Sequence, residues 1–189
     1  LGYENLEDMA QDFTIEYNDM LDSIIKYEGF YVGRYELSGT IEKAQEKPGV
    51  TIKDNNWYEL YNACRNLIKA DRVKTTMIYG CQWDRICQWL IETEAKSESE
   101  VDIDSNSWGN FSGEIKETGS DSRYRVNNIY DFAGNVDEWT QEANSVSRTL
   151  RGGTAKESSI NFPASGRSHD SPIRSTGNNT TRVIMYIKI

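Results

Sequence analysis

The chain has 189 residues, 37% of them apolar, with a formal net charge of −9 and a pI near 4.7. That length suits one domain with a real core, and five Trp and eleven Tyr supply packing area that the sparse aliphatics do not. The acidity disfavours nucleic acid and anionic membrane as partners, and no apolar run reaches the roughly 20 residues that span a bilayer, so no membrane insertion is expected.

Met9, Phe13, Tyr17, Met20, Ile24 and Tyr27 recur at threes and fours, which predicts helix through the first 27 residues. No charged-then-apolar leader precedes residue 30, so Leu1 reads as an artificial or processing boundary. Gly29 ends the helix, and Phe30 to Glu36 alternates bulky with small or charged residues as a strand does. Residues 38–55, with Pro48-Gly49 among them, read as connecting loop. Asn56 can cap a second helix whose Trp57, Leu60, Tyr61, Cys64 and Leu67 share one face. A third helix is predicted from Cys81 to Glu92, turning Trp83, Ile86, Cys87, Leu90 and Ile91 inward.

Thr93 to Asp121 is polar and reads as loop with short strand. Short strands are expected at 129–132, 134–140 and 146–150, and Arg182 to Ile189 alternates well enough for a last one. Helices first and short strands last indicate an α+β fold. The expected organisation is an N-terminal helical segment over residues 1–28 and one domain over 29–189. The segment is open to three roles: connection to a stalk, trimerisation element, or packing helix of the same domain. Cys64, Cys81 and Cys87 form an odd set without Cys-x-x-Cys spacing, which argues against a disulfide framework or a zinc knuckle and for thiols buried on helices.

Five stretches then carry a resemblance: Gly29 to Glu36, the helix around Trp57-Tyr58, Met77 to Asp84, Asp131 to Trp139, and Arg151-Gly152-Gly153 through Arg182. They follow one another in the order seen in the formylglycine-generating-enzyme-like family, across about residues 28–189. Within that family the chain most resembles the variable proteins of diversity-generating retroelements. The resemblance implies a C-type lectin-like fold of the formylglycine-generating-enzyme type. It also implies a C-terminal segment, here 154–181, whose adenine-derived positions a reverse transcriptase rewrites and which the scaffold displays as a ligand-binding face.

On that reading the displayed positions are Thr154, Ala155, Lys156, Glu157, Ser158, Asn161, Phe162, Gly166, Ser168, His169, Asp170, Arg174 and Thr176. The frame is Asn135, Trp139, Arg151, Gly152, Gly153, Arg167 and Arg182, with Pro163 and Pro172 inside the segment. The segment itself reads as irregular and pinned between two strands. Arg151 and Arg182 flank it and are expected to tie it down by charge-assisted hydrogen bonds to carbonyls or carboxylates. Asn135 reads as a tight-turn residue bonding local backbone, and Trp139 as core. Asparagine codons randomised at their adenines cannot yield Lys, Glu, Gln, Met or Trp. These types make up 41 of the 189 residues but are absent from Ser158 to Thr181, while Lys156 and Glu157 break the pattern.

The family's chemistries find no residues here. Formylglycine generation needs a pair of thiols in the C-terminal segment, and no Cys follows Cys87. The family's iron enzymes need several histidines, and His169 is the only one. His169-Asp170 with an adjacent Ser does not make a hydrolytic triad, because neighbours in sequence rarely line up nucleophile, base and orienting acid. Asp102 to Asn106 alternates oxygen side chains but lacks the glycine and glutamate of a calcium loop. The expectation is therefore a non-catalytic domain without cofactor or metal, binding a protein or glycan receptor from a phage virion or bacterial surface, with affinity raised by several copies. The alternatives are a structural domain of a surface or virion protein, or a metal-dependent enzyme of the family.

Overall fold

A computed structural model describes residues 1–189. The first helix, α1 (Leu6–Tyr27), starts where Asn5 accepts the Asp8 amide at 2.9 Å and stops at Glu28, left-handed at φ 58°. The stop thus falls one residue before the predicted Gly29. The helix is not laid on by apolar contact alone. Glu16, buried on its inner face, accepts from Thr76 at 2.6 Å and from Tyr61 and Tyr79 at 3.3 Å, and pairs with Arg65 at 3.1 Å. A buried acid with this many partners is satisfied, and it locks the helix in register. Met20 joins the same apolar cluster as Trp83, Leu90 and Ile184.

Of the strand predicted over 30–36 only β1 (Tyr31–Val32) forms, and β2 (Ser38–Thr40) and β3 (Lys43–Gln45) make a hairpin inside the predicted loop. Next, α2 (Trp57–Asn66) opens on a capping box, with Asn56 and Glu59 satisfying each other's backbone amides. It is followed by β4 (Val73–Met77), a strand not expected from the sequence because Lys74-Thr75-Thr76 shows no apolar alternation. Then come α3 (Gly80–Glu92), one residue longer than predicted, and the short α4 (Glu98–Asp102) within a stretch expected to be loop and strand. Ser97 and Glu100 form a second capping box there, the signal that marks the helix.

After a small hairpin of β5 (Arg125–Val126) and β6 (Ile129–Tyr130), two larger sheets complete the fold. In the first, β11 (Val183–Ile187) lies between β1 and β4 and is antiparallel to both. The second runs β10 (Asn179–Thr181), β7 (Asp137–Asn144), β8 (Ser147–Arg151), β9 (Arg167–Asp170), with β10 parallel to β7. Segment 154–181 is therefore not irregular as expected, since it contributes β9 and β10. Both are polar, so composition hid them; what makes them strands is the need of β7 and β8 for hydrogen-bonding partners at their free edges.

One apolar cluster surrounds Trp83, stacked on Phe132 at 4.0 Å between ring centroids, and the other joins Trp57 and Tyr61 of α2 to Trp139 and Leu150. No helix is long and apolar enough to cross a membrane.

Candidate recognition face

The face rests on a corner where four chain segments meet. Gly134 turns at φ 73°, and a side chain there would meet the Asn110 carbonyl oxygen at 2.2 Å, so only glycine fits. Asn135 follows, also left-handed. Its amide donates to Glu36 at 2.7 Å, its side-chain oxygen accepts from Asn110 and the Lys116 amide at 2.9 Å each, and its carbonyl accepts the Ala155 amide at 3.0 Å. These partners are distant in sequence, which corrects the expectation of local backbone bonding. Trp139 is fully buried.

Two buried arginines hold the ends of the segment. Arg182 grips Glu138 with bonds of 2.6 and 3.0 Å and donates to the carbonyls of Gly33 and Tyr130, tying β11 to β7 and to both flanking loops. Both partners are at most 1% exposed. Burial pushes the Glu138 carboxyl up and the guanidinium opposes it. Glu36, which also lies in this acidic pocket, is pushed well up by burial and by Asp131.

Arg151 donates to Asp84 at 2.6 Å, and Arg167, its cross-strand neighbour, bonds Asp84 and Glu142. Two guanidinium groups directly opposite would repel, and the two carboxylates between them convert the repulsion into a clamp joining β8, β9 and α3. The Gly152-Gly153 turn that follows is left-handed at both residues, and a side chain at Gly153 would meet the Phe162 carbonyl oxygen at 2.8 Å.

Beyond the clamp the expected positions divide into two groups. Thr154, Lys156 and Glu157 converge with Ser168, His169 and Asp170 of β9 around a polar depression of about 350 Å³, completed by Arg174 and Thr176. Lys156, His169 and Arg174 are exposed; Glu157, Ser168, Asp170 and Thr176 are half-buried. His169 holds its Nδ1 3.2 Å from the Thr149 hydroxyl, and Arg174 stands 3.4 Å from Asp170. The second group, Ser158, Asn161, Phe162 and Gly166, sits away from the depression. It lies over the 101–111 region, where Ser159 donates to Asp104 at 2.5 Å and Ala164 to the Ser105 hydroxyl at 2.9 Å. Asp104 of the calcium-like run is thus engaged internally. Phe162 and Gly166 are only half-exposed.

Two expected positions are not displayed. Thr154 is 3% exposed and Ala155 1%. The chain leaving β8 first dives into the corner, where Ala155 bonds Asn135 and Gly113 through its backbone, and surfaces only at Lys156. Conversely, the floor of the depression includes residues outside the expected set: Asp137, Leu150, Asn178 and Asn179. Burial pushes the Asp137 carboxyl well above the usual carboxylate range, and the neighbouring Glu157 adds to the effect. The hint in the sequence was its place inside the Asn135 to Trp139 motif.

No family model and no curated protein matches the chain. Solved structures do. It is similar to Treponema denticola variable protein 1, with a TM-score of 0.53 at 15% identity over 78% of this chain and 74% of that one. The Major Tropism Determinant U1 variant aligns at a TM-score of 0.56 and 14% identity over 85% of this chain and 51% of that one. PvdO from Pseudomonas aeruginosa aligns at 0.53 and 16% over 77% and 64%. The fold is C-type lectin-like. These neighbours are retroelement variable proteins and a formylglycine-generating-enzyme-like protein, and at such identities the likeness establishes shared architecture. The chain spans about half the length of the tropism determinant it matches.

Proposed function

We propose that this chain is a non-catalytic recognition domain that binds a receptor or ligand through the side chains of segment 154–181, and that a retroelement diversifies those side chains. The observation that carries the reading is the separation of roles within one segment. Its backbone is tied by β9, β10, the Arg151–Asp84–Arg167–Glu142 clamp and the Arg182–Glu138 pair, while Lys156, His169 and Arg174 point outward with few internal bonds. Exchange of exposed side chains on a fixed backbone changes stability by under about 0.5 kcal/mol, so specificity can drift while the fold persists. Two neighbours in fold are named a variable protein and a tropism determinant, which supports the same reading. On this proposal the domain is carried on a phage virion or bacterial surface, and several copies act together.

The test is a scan of Asn161, Phe162, His169 and Arg174 to alanine, reading attachment to host cells or extracts alongside melting temperature. The reading expects lost attachment, with melting unchanged at the exposed Asn161, His169 and Arg174 and lowered at the half-buried Phe162. Attachment that survives all four exchanges would instead make the domain a spacer. At the genomic level, a neighbouring reverse transcriptase gene with a template repeat differing from codons 154–181 only at adenines is the expected companion.

A further inference from the structure

The frame itself supplies a fixed anchor beneath the displayed side chains. We propose that Asp137 is the acceptor for a basic side chain of the partner, a guanidinium or primary ammonium, with the surrounding displayed residues selecting which basic group is admitted. This rests on the recognition reading above and adds the chemistry of the partner.

Asp137 opens β7 and lies outside 154–181, so the same carboxylate stands under the rim whatever residues the rim carries. It is 8% exposed yet reaches the floor of the depression. Its neighbour in sequence, Glu138, points the other way and is neutralised by Arg182, whereas the only donor acting on Asp137 is the Gly153 amide. None of the basic groups that line the depression bonds Asp137, although Lys156 has no acidic partner of its own. Glu157 accepts the Thr154 amide at 2.9 Å, and Arg174 is turned to Asp170. Lys156 is exposed at the rim, and His169 bonds Thr149.

A desolvated acid beside a second acid is an incomplete arrangement, and an incoming cation relieves both burial and like-charge repulsion at once. No other ligand class gains as much here. An anion adds to the repulsion, a neutral polyol leaves it in place, and an apolar side chain finds only Leu150 among the twelve residues that line the depression. Asn179, 4% exposed with an amide nitrogen lacking any partner, and the unpaired Thr176 hydroxyl lie at the same floor and mark it as unfinished without a ligand. The net charge of −9 steers a basic partner toward the domain from a distance.

The experiment titrates the intact, isotope-labelled chain with N-acetyl-L-arginine amide, its neutral isostere N-acetyl-L-citrulline amide, and methyl glucoside, following backbone amide shifts. The arginine probe is expected to move Gly153, Asn178 and Asn179 saturably, while the citrulline and glucoside probes leave them unmoved. Asp137→Asn should weaken the arginine probe about tenfold or more. Glu157→Gln, at a more exposed site, should weaken it a few-fold, and it carries the test if Asp137→Asn fails to fold. Equal shifts with citrulline, or undiminished arginine binding in the variants, overturn the proposal. If rim exchanges alter attachment but the arginine probe does not bind, the anchor fails and recognition stands. If the probe binds at Asp137 but rim exchanges leave attachment unchanged, the recognition reading fails instead.

Discussion

Arg182→Met tests whether a buried ion pair holds segment 154–181 in place. The guanidinium makes two bonds to Glu138 and one each to the Gly33 and Tyr130 carbonyls, all out of water. Met approximates the volume but strands Glu138, which is 1% exposed. Breaking one side of such a pair costs about 3–5 kcal/mol. For a chain of this size that is a fall in melting temperature of roughly 10 °C or more. The two carbonyls lose their donors and add to it. The sign of the pH dependence follows from the stranded acid. Burial already holds the Glu138 pKa above its unfolded value of about 4.3 and Arg182 opposes that rise, so the variant lifts it further. Below that value both states hold the proton and the variant is least impaired; as pH rises toward the folded value the unfolded state ionises first, and stability is lost. Urea unfolding near pH 5 and near pH 8 measures this. The expected outcome is a markedly larger deficit near pH 8, with part of it recovered when Glu138 is also replaced by Met. A deficit that is equal at both pH values, or under about 1 kcal/mol near pH 8, refutes the reasoning.

Burial also sorts the segment's own positions. Ala155→Leu should cost about 1–3 kcal/mol by overpacking, whereas His169→Ala should stay within about 0.5 kcal/mol, both read from urea midpoints. Gly134→Ala forces a side chain onto the Asn110 carbonyl at a positive φ, and a loss of about 2 kcal/mol or more is expected in the same assay. A thiol reagent applied to the folded protein should label Cys81, which is exposed. It should spare Cys64 and Cys87, the latter with its thiol pushed up to about 12 by burial; all three should react in urea.

The helices were legible because their signals are local. Asn56 and Glu59 mark a helix start within four residues, and the Trp83 to Ile91 periodicity repeats every turn whatever packs on it. The fold itself was legible through five ordered motifs whose glycines and buried charges are spaced by the architecture. The short strands were not. Thr75 and Thr76 of β4, Arg167 to Asp170 of β9 and Asn179 to Thr181 of β10 carry no pattern of their own, and they become strands only because distant edges need partners.

Sequence alone determined that the chain is acidic, that α1, α2 and α3 form, and that Arg151 and Arg182 bracket a polar segment of 30 residues lacking Cys. Which side chains of that segment reach solvent was decided only by tertiary structure. Thr154 and Ala155 are as small as the exposed Ser158, yet a turn through the Asn135 corner buries them, and β7 delivers Asp137 from outside the segment to the floor of the depression. Exposure is set by contacts between residues far apart in the chain, and no local pattern encodes it.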